Sequence, residues 1–267
     1  MNAERGLAWA ESVTGARVVR SWPIAGGMTG NVFALDTSDR KSLVLKLYRH
    51  DPHEPDSARR ETHILDLLAD TGLPTPRAVA IDREGAACGW PALLMTRVSG
   101  SLRARPTERP LLRELVAMAK RIHELPLGQE QLPAYTPWGL EGRLPMPRGW
   151  TDPGVWKAAV AVAKGPAPPE PECFIHRDFH PGNVLWSGSH IAGVVDWLHG
   201  CWGPPSVDFA HCRLNLWLDH GPSVADAFMK PEEIHPYWDI VDALSWSPSS
   251  TGLRRFESFV TAAVSRL

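Results

Sequence analysis

Residues 173 to 196 read CFIHRDFHPGNVLWSGSHIAGVVD, and no other stretch limits the possible fold as much. Apolar Phe174 and Ile175 lead into a polar loop turned by Pro181 and Gly182, after which Val184 to Trp186 resume an extended run. Ser187 and Gly188 make a turn, and Ile191 to Val195 form a return strand that ends at Asp196. The predicted order is strand, loop, strand, turn, strand. It gathers His176, Asp178, Asn183 and Asp196 toward one end of a short hairpin. Asp, Asn, Pro and Gly favour turns for reasons of their own, so caps and turns are the plainer reading of the same letters.

Chemistry argues for more. Phosphoryl transfer takes one carboxylate to orient and deprotonate a hydroxyl, and an amide with a second carboxylate to hold magnesium. The arrangement H-x-D-x-x-x-x-N, followed by an apolar strand and V-V-D-W, resembles the aminoglycoside phosphotransferase and choline kinase superfamily, a branch of the protein-kinase-like fold. The resemblance implies that Asp178 is the catalytic base, that Asn183 and Asp196 ligate Mg2+, and that His176 stabilises the loop. Protein kinases carry H-R-D-L-x-x-x-N and a later D-F-G. Here His180, Pro181 and Gly182 fill the loop and Trp197 and Leu198 follow Asp196, which points to a small-molecule acceptor. The segment G-P-P-S-V-D resembles the family's Gly-x-Pro-x-x-Asp, which makes Asp208 an architectural brace. The implied fold is α+β and two-lobed. A nucleotide-binding lobe over 1–97 holds an antiparallel sheet plus a helix, and a mostly helical lobe over 98–267 holds the catalytic hairpin.

Such a fold needs a nucleotide clamp in its first third. IAGGMTGNVFAL, from Ile24 to Leu35, is a glycine-rich turn between extended segments. Gly26, Gly27 and Gly30 would let the backbone approach phosphates closely, and Thr29 would add a hydroxyl donor. A plain hairpin loop would read the same way. Lys46 interrupts the apolar run Leu43, Val44, Leu45 and Leu47. If it is buried, its ammonium needs a partner; on an edge strand it would point to water instead. The next helix, started by Asp56 or Ser57 and ended by Gly72 and Pro74, places Glu61 on one face with Ile64, Leu65 and Leu68. An ion pair of Lys46 with Glu61 beside the phosphates of ATP or GTP would settle both charges, while a solvated Glu61 at the border of the stripe is the alternative. A kinase hinge would fall at the end of the apolar block Ala92 to Met95, with the backbone of Thr96 to Val98 meeting the adenine edge.

An amphipathic helix is predicted over RPLLRELVAMAKRIHEL, with Leu111, Leu115, Met118 and Ile122 on one face. It should pack beneath the catalytic loop. A Pro-rich stretch from 126 to 171 follows, interrupted by a short helix over Pro153 to Lys164. It is too long for a plain loop and reads as a partly helical insertion or a mobile segment. Its Trp138, Trp150 and Trp156 face substrate or, as is commoner for tryptophan, pack. Helices over 211–218, 237–244 and 253–264 complete the second lobe.

A chain of 267 residues can bury the core that two lobes need. A net charge of −2 without a basic run gives no reason to expect nucleic acid or an anionic membrane as partner. The opening segment lacks the apolar core of a signal peptide and no apolar run reaches spanning length, so a cytoplasmic protein is expected. Cys88, Cys173, Cys201 and Cys212 lack disulfide-framework spacing and read as free thiols. His199, Cys201, His211 and Cys212 crowd one region, but match no common zinc pattern.

The expected acceptor is the hydroxyl of a small molecule, with an aminoglycoside or another antibiotic as the leading choice and hence a role in antibiotic resistance. A metabolic alcohol, amino alcohol or sugar is the next, and a non-catalytic nucleotide-binding relative is the reading from outside enzymology. Trp202, Trp217, Trp238 and Trp246 would suit an apolar pocket or an amine cage. A pure binder has no chemical need for Asp178, which favours an enzyme.

Overall fold

The computed structural model describes residues 2–24, 30–49, 56–102, 106–245 and 252–267. The chain divides into two compact units, one of Met1–Gly100 with Ala192–His199 and one of Ser101–Ile191 with Gly200–Leu267.

The first unit is a five-stranded antiparallel sheet with helices. In chain order it holds α1 (Asn2–Thr14), β1 (Val18–Ile24), β2 (Gly30–Thr37), β3 (Ser42–Tyr48), α2 (Ser57–Leu68), β4 (Ala78–Asp82) and β5 (Ala92–Thr96). The strands lie in the order β1-β2-β3-β5-β4, which puts β3 at the centre. Strand side chains alternate between faces. Leu43, Leu45 and Leu47 therefore share one face, where they form a core with Ala10 of α1, Leu35, Cys88, Ala92 and Leu94. Lys46 and Tyr48 are left for the opposite face. On α2, Ala58, Glu61, Ile64, Leu65 and Leu68 form the buried stripe that the spacing predicts. Asp56 stands at its N-cap but makes no side-chain cap bond; its carboxylate instead pairs with Arg59.

The second unit opens with β6 (Ser101–Leu102) and α3 (Arg109–His123), then runs through the Pro-rich stretch, which contains α4 (Pro153–Ala163). Next come β7 (Cys173–Ile175), β8 (Val184–Ser187), β9 (His190–Val194) and β10 (Cys201–Gly203). The helices α5 (Ser206–His220), α6 (Pro222–Phe228), α7 (Pro236–Ser245) and α8 (Leu253–Val264) end the chain. The chain leaves this unit along β9 and rejoins it at Gly200.

The three expected strands are all present in the expected order, but they do not share one sheet. β8 pairs with β6, whereas β7 pairs with β10 in a separate two-stranded sheet. The loop between β7 and β8 turns the chain away, through Arg177 in the left-handed region at φ 69° and a single 3-10 turn over Pro181–Asn183.

The Pro-rich stretch is pinned at several points. Tyr135 N–H donates to the Trp202 carbonyl at 2.7 Å, and Trp202 N–H to Pro133 at 2.9 Å. Further on, Glu257 of α8 accepts from the Thr151 backbone at 2.7 Å. Trp150 is buried in edge contact with Trp156 and Phe256, so packing accounts for it. Trp217 packs on Phe259 and Trp238 on Tyr237 in the same way, whereas Trp246 lies outside the described residues. The cysteines are free thiols. Among the described residues no helix is long and apolar enough to cross a membrane.

Candidate active site

Two clusters of charged side chains stand out, one in each unit. In the first unit the alternation of β3 aims Lys46 at α2. Its Nζ lies 2.7 Å from Glu61 Oε2 and 2.7 Å from Asp196 Oδ1, with 5% of the side chain exposed. The edge-strand alternative is thereby answered, since Lys46 is buried on the central strand. Tyr48, two residues on and therefore on the same face, donates its hydroxyl to Glu61 Oε2 at 2.7 Å. The Trp197 backbone N–H donates to Glu61 Oε1 at 3.2 Å. Burial disfavours the Lys46 ammonium, but the charges of Glu61 and Asp196 more than offset this and raise its pKa. Asp196 itself sits in the left-handed region at φ 64°, which Asp tolerates better than most residues.

In the second unit the loop from His176 to Asn183 carries the other cluster. Its start is held by Asp208 of α5, which is fully buried. One oxygen of Asp208 accepts from the His176 N–H at 3.0 Å and the other from the Arg177 N–H at 2.6 Å. His123, at the end of α3, bonds the same carboxylate at 2.9 Å. Burial would raise the Asp208 pKa, but the bond and charge of His123, with His176, hold it below the usual carboxylate range. Arg177 stacks on the Trp138 ring at 3.9 Å, so this tryptophan of the Pro-rich stretch packs on the loop.

Asp178 comes next and is gripped on both oxygens. Oδ2 accepts from the Asn183 amide at 2.9 Å, and that amide also donates to the Asp178 carbonyl at 2.9 Å. Oδ1 lies 3.0 Å from His211 Nε2. His180 Nδ1 accepts from the Gly182 N–H at 3.2 Å. A Cβ on Gly182 would come within 2.5 Å of the His180 ring, so a larger residue there would have to displace that ring. Burial would raise the Asp178 pKa, but the bond and charge of His211 outweigh it, and the carboxyl is held well below its ordinary range.

Each cluster, taken by itself, offers hard oxygen donors. Asn183 commits its amide nitrogen to Asp178, which leaves its carbonyl oxygen Oδ1 to ligate. Lys46 engages Oδ1 of Asp196, and Oδ2 is the second hard oxygen which that residue offers. Hard oxygen donors of this kind match Mg2+. Lys46, Glu61 and Asp196 together carry one negative charge in excess, which also favours a cation.

Other expected positions fall differently. Gly26, Gly27 and Thr29 lie outside the described residues. Gly30 begins β2 opposite Tyr48. A Cβ there would stand 2.0 Å from the Leu47 carbonyl oxygen, so the sheet itself requires the glycine. At the expected hinge the Thr96 N–H is bonded to the Arg77 carbonyl and the Arg97 N–H to that of Ser42. These two donors are committed within the sheet, and Val98 is the first residue beyond them. The group of possible metal ligands that converges in space is Asp178, His180 and His211, within 4.8 Å of one another among the described residues. It is not the set that sequence proximity had suggested.

A model of the phosphotransferase enzyme family matches residues 22–244. The chain belongs to that family. A homoserine kinase of Pseudomonas aeruginosa (strain UCBPP-PA14) is 33% identical over 181 residues, covering 61% of this chain and 54% of that protein. A homoserine kinase of Methylocella silvestris is 31% identical over 208 residues, or 73% of this chain and 63% of that one. The chain thus spans about half the length of the first of these relatives. Among solved structures, the aminoglycoside phosphotransferase APH(4)-Ia has a TM-score of 0.69 at 17% identity, over 98% of each chain. The macrolide 2'-phosphotransferase MphH from Brachybacterium faecium gives 0.61 at 15%, over 98% of this chain and 89% of that one. At these identities the likeness is one of fold, and the fold of this phosphotransferase-family chain is the kinase-like one.

Tyr48, His211 and Asp242, whose Oδ1 lies 3.0 Å from His211 Nδ1, were not among the expected members of these clusters. For His211 there was a signal. Asp208, His211 and Asn215 recur three and four residues apart, a polar stripe down a helix whose other positions include Val207, Phe209, Ala210, Cys212, Leu214 and Leu216.

Proposed function

We propose that this chain transfers the terminal phosphoryl group of ATP to the hydroxyl of a small acceptor, and that the acceptor is an amino alcohol of the homoserine class. The observation that carries the reading is Asp178, a carboxylate with one oxygen on Asn183 and the other on His211. A base so held is ionised at neutral pH and faces one direction. In this chemistry the protein supplies positioning and charge more than covalent steps. Asp178 accepts the acceptor's hydroxyl proton as the oxygen attacks phosphorus. Lys46, kept charged by Glu61, steadies the phosphates. Asn183 and Asp196 would each offer a hard oxygen to magnesium, which when bound would offset charge on the phosphate oxygens.

A nucleotide as donor is supported by the fold neighbours, one of which is a ternary complex with ADP and hygromycin B. For the acceptor, the sequence relatives weigh more. The homoserine kinases are 31–33% identical, whereas the antibiotic kinases are 15–17% identical and share the fold. This moves the reading from an antibiotic, which the motifs alone favoured, to a small amino alcohol.

The test is release of ADP from ATP, or of GDP from GTP, in magnesium, on a panel of homoserine, other amino alcohols, hygromycin B, spectinomycin and a macrolide. Homoserine should stimulate turnover most. Asp178→Asn should lower kcat by about 10²- to 10⁴-fold, the usual worth of a positioned base, with nucleotide Kd preserved. Wild-type turnover in that variant would remove Asp178 from its role, and stimulation by an antibiotic alone would replace the acceptor.

A further inference from the structure

His211 is fully buried in α5, on the far side of Asp178 from Asn183. Its Nε2 lies 3.0 Å from Asp178 Oδ1 and its Nδ1 lies 3.0 Å from Asp242 Oδ1 of α7. Asn215, one turn further along α5, donates to the His211 carbonyl at 2.9 Å, and its amide lies 3.2 Å from Nε2.

Building on the role proposed for Asp178, we infer that His211 is a positioning residue for phosphoryl transfer: bonded to Asp178 on one side and anchored to Asp242 on the other, its ring fixes the direction in which the Asp178 carboxylate faces.

The argument is one of hydrogen bookkeeping. An ionised carboxylate only accepts. With an ionised carboxylate 3.0 Å from each ring nitrogen, and the Asn215 amide spent on the His211 carbonyl, both nitrogens carry hydrogen and the ring is an imidazolium. Burial disfavours that charge, but Asp242 and Asp178 outweigh it and raise the pKa to about 10. The same accounting explains why Asp178, His180 and His211 are not a cation site despite their convergence. A doubly protonated ring has no lone pair to give, and His180 Nδ1 accepts from Gly182, which puts its hydrogen on Nε2, the nitrogen nearer Asp178. With Asn183 on one oxygen and His211 on the other, the carboxylate has two fixed bonds and cannot rotate without breaking one. A positive neighbour also weakens a base, so the benefit of His211 lies in orientation and not in basicity.

This gives a test in which two conservative substitutions part ways. The amide nitrogen of Gln can stand where Nε2 does and keep the bond to Asp178, whereas that of Asn stands where Nδ1 does and keeps only the bond to Asp242. ATP turnover with magnesium is followed with homoserine as acceptor and with water alone. His211→Asn should lose on the order of 10²-fold in kcat, the scale of a misplaced reacting group, with nucleotide Kd unchanged, while His211→Gln stays within roughly tenfold of wild type. Equal losses in the two variants, or a greater loss in His211→Gln, would overturn the inference. Asp178→Asn is run beside them. If it is inactive while the His211 pair is indistinguishable, only this inference fails; if it is active, the assignment of the base fails first. Should either His211 variant not fold, 15N spectra of the intact protein decide. Both nitrogens of His211 should be protonated at pH 7 to 8, and a neutral ring of one tautomer would refute the arrangement.

Discussion

Glu61 is 1% exposed and accepts from three donors, namely Lys46, the Tyr48 hydroxyl and the Trp197 backbone. A buried carboxylate so saturated is costly to remove, because every donor it leaves behind is also buried. Glu61→Ala should lower unfolding free energy by about 3 kcal/mol, near the lower limit for a broken buried pair because Lys46 keeps Asp196. Tyr48→Phe deletes a single bond to a charged group and should cost about 1.5 kcal/mol. Urea unfolding of both variants checks the order; a Tyr48→Phe loss equal to that of Glu61→Ala would contradict this division of labour. The pairing of Lys46 with Glu61 was legible beforehand because Lys46 interrupts an otherwise apolar run and Glu61 falls on the apolar stripe of its helix. The bonds from Tyr48 and from the Trp197 N–H were not, since a tyrosine in a strand and a backbone amide leave no pattern to read.

At the scale of elements, α5 is the member on which the second unit depends. It is buried along most of its length and carries three charged or polar side chains that each reach a different neighbour. Asp208 holds the start of the loop, His211 holds Asp178, and Arg213 reaches Asp239 and Asp226 on the two helices that follow. Asp208→Ala should destabilise the protein by about 3–5 kcal/mol, since it strands two backbone donors and His123 together. Hydrogen exchange at the amides of His176 and Arg177 should rise more than elsewhere in the unit. Uniform acceleration across the unit would show instead that Asp208 supports the fold in general. The family segment made Asp208 legible as a brace, whereas its partner His123 on α3 was read only as the end of an amphipathic helix. All three strands, β7, β8 and β9, were legible, but the pairing of β7 with β10 was not, because strand propensity says nothing about which partner a strand takes. Gly30 was read for close approach to phosphates, whereas the crowding at it comes from the strand opposite, whose register the sequence does not state.

For the whole molecule, the buried charges set a pH window of stability. His211 has its pKa raised from an ordinary 6.5 to about 10, so what it adds is fully present below 6.5 and is lost as pH rises toward 10. Asp178 and Asp208 are depressed from 3.8, so what they add is present above that value and is lost in acid. Urea midpoints should therefore be highest between about pH 4 and 6.5 and fall steadily from there to pH 10. In His211→Gln the alkaline decline should flatten, and an unchanged slope would mean that some other group causes it.

The discontinuity of the first unit also has a consequence in time. Glu61 and Lys46 draw partners from Ala192–His199, which the ribosome makes only after residues 101–191. At a synthesis rate of about 5–20 residues per second, that is a wait on the order of 10 s. During it the sheet can form, but the carboxylate on α2 lacks its backbone donor and the lysine on β3 its second acid. The first unit is thus finished only after the loop that carries Asp178 has been synthesised, and the nascent chain cannot complete one without having made the other.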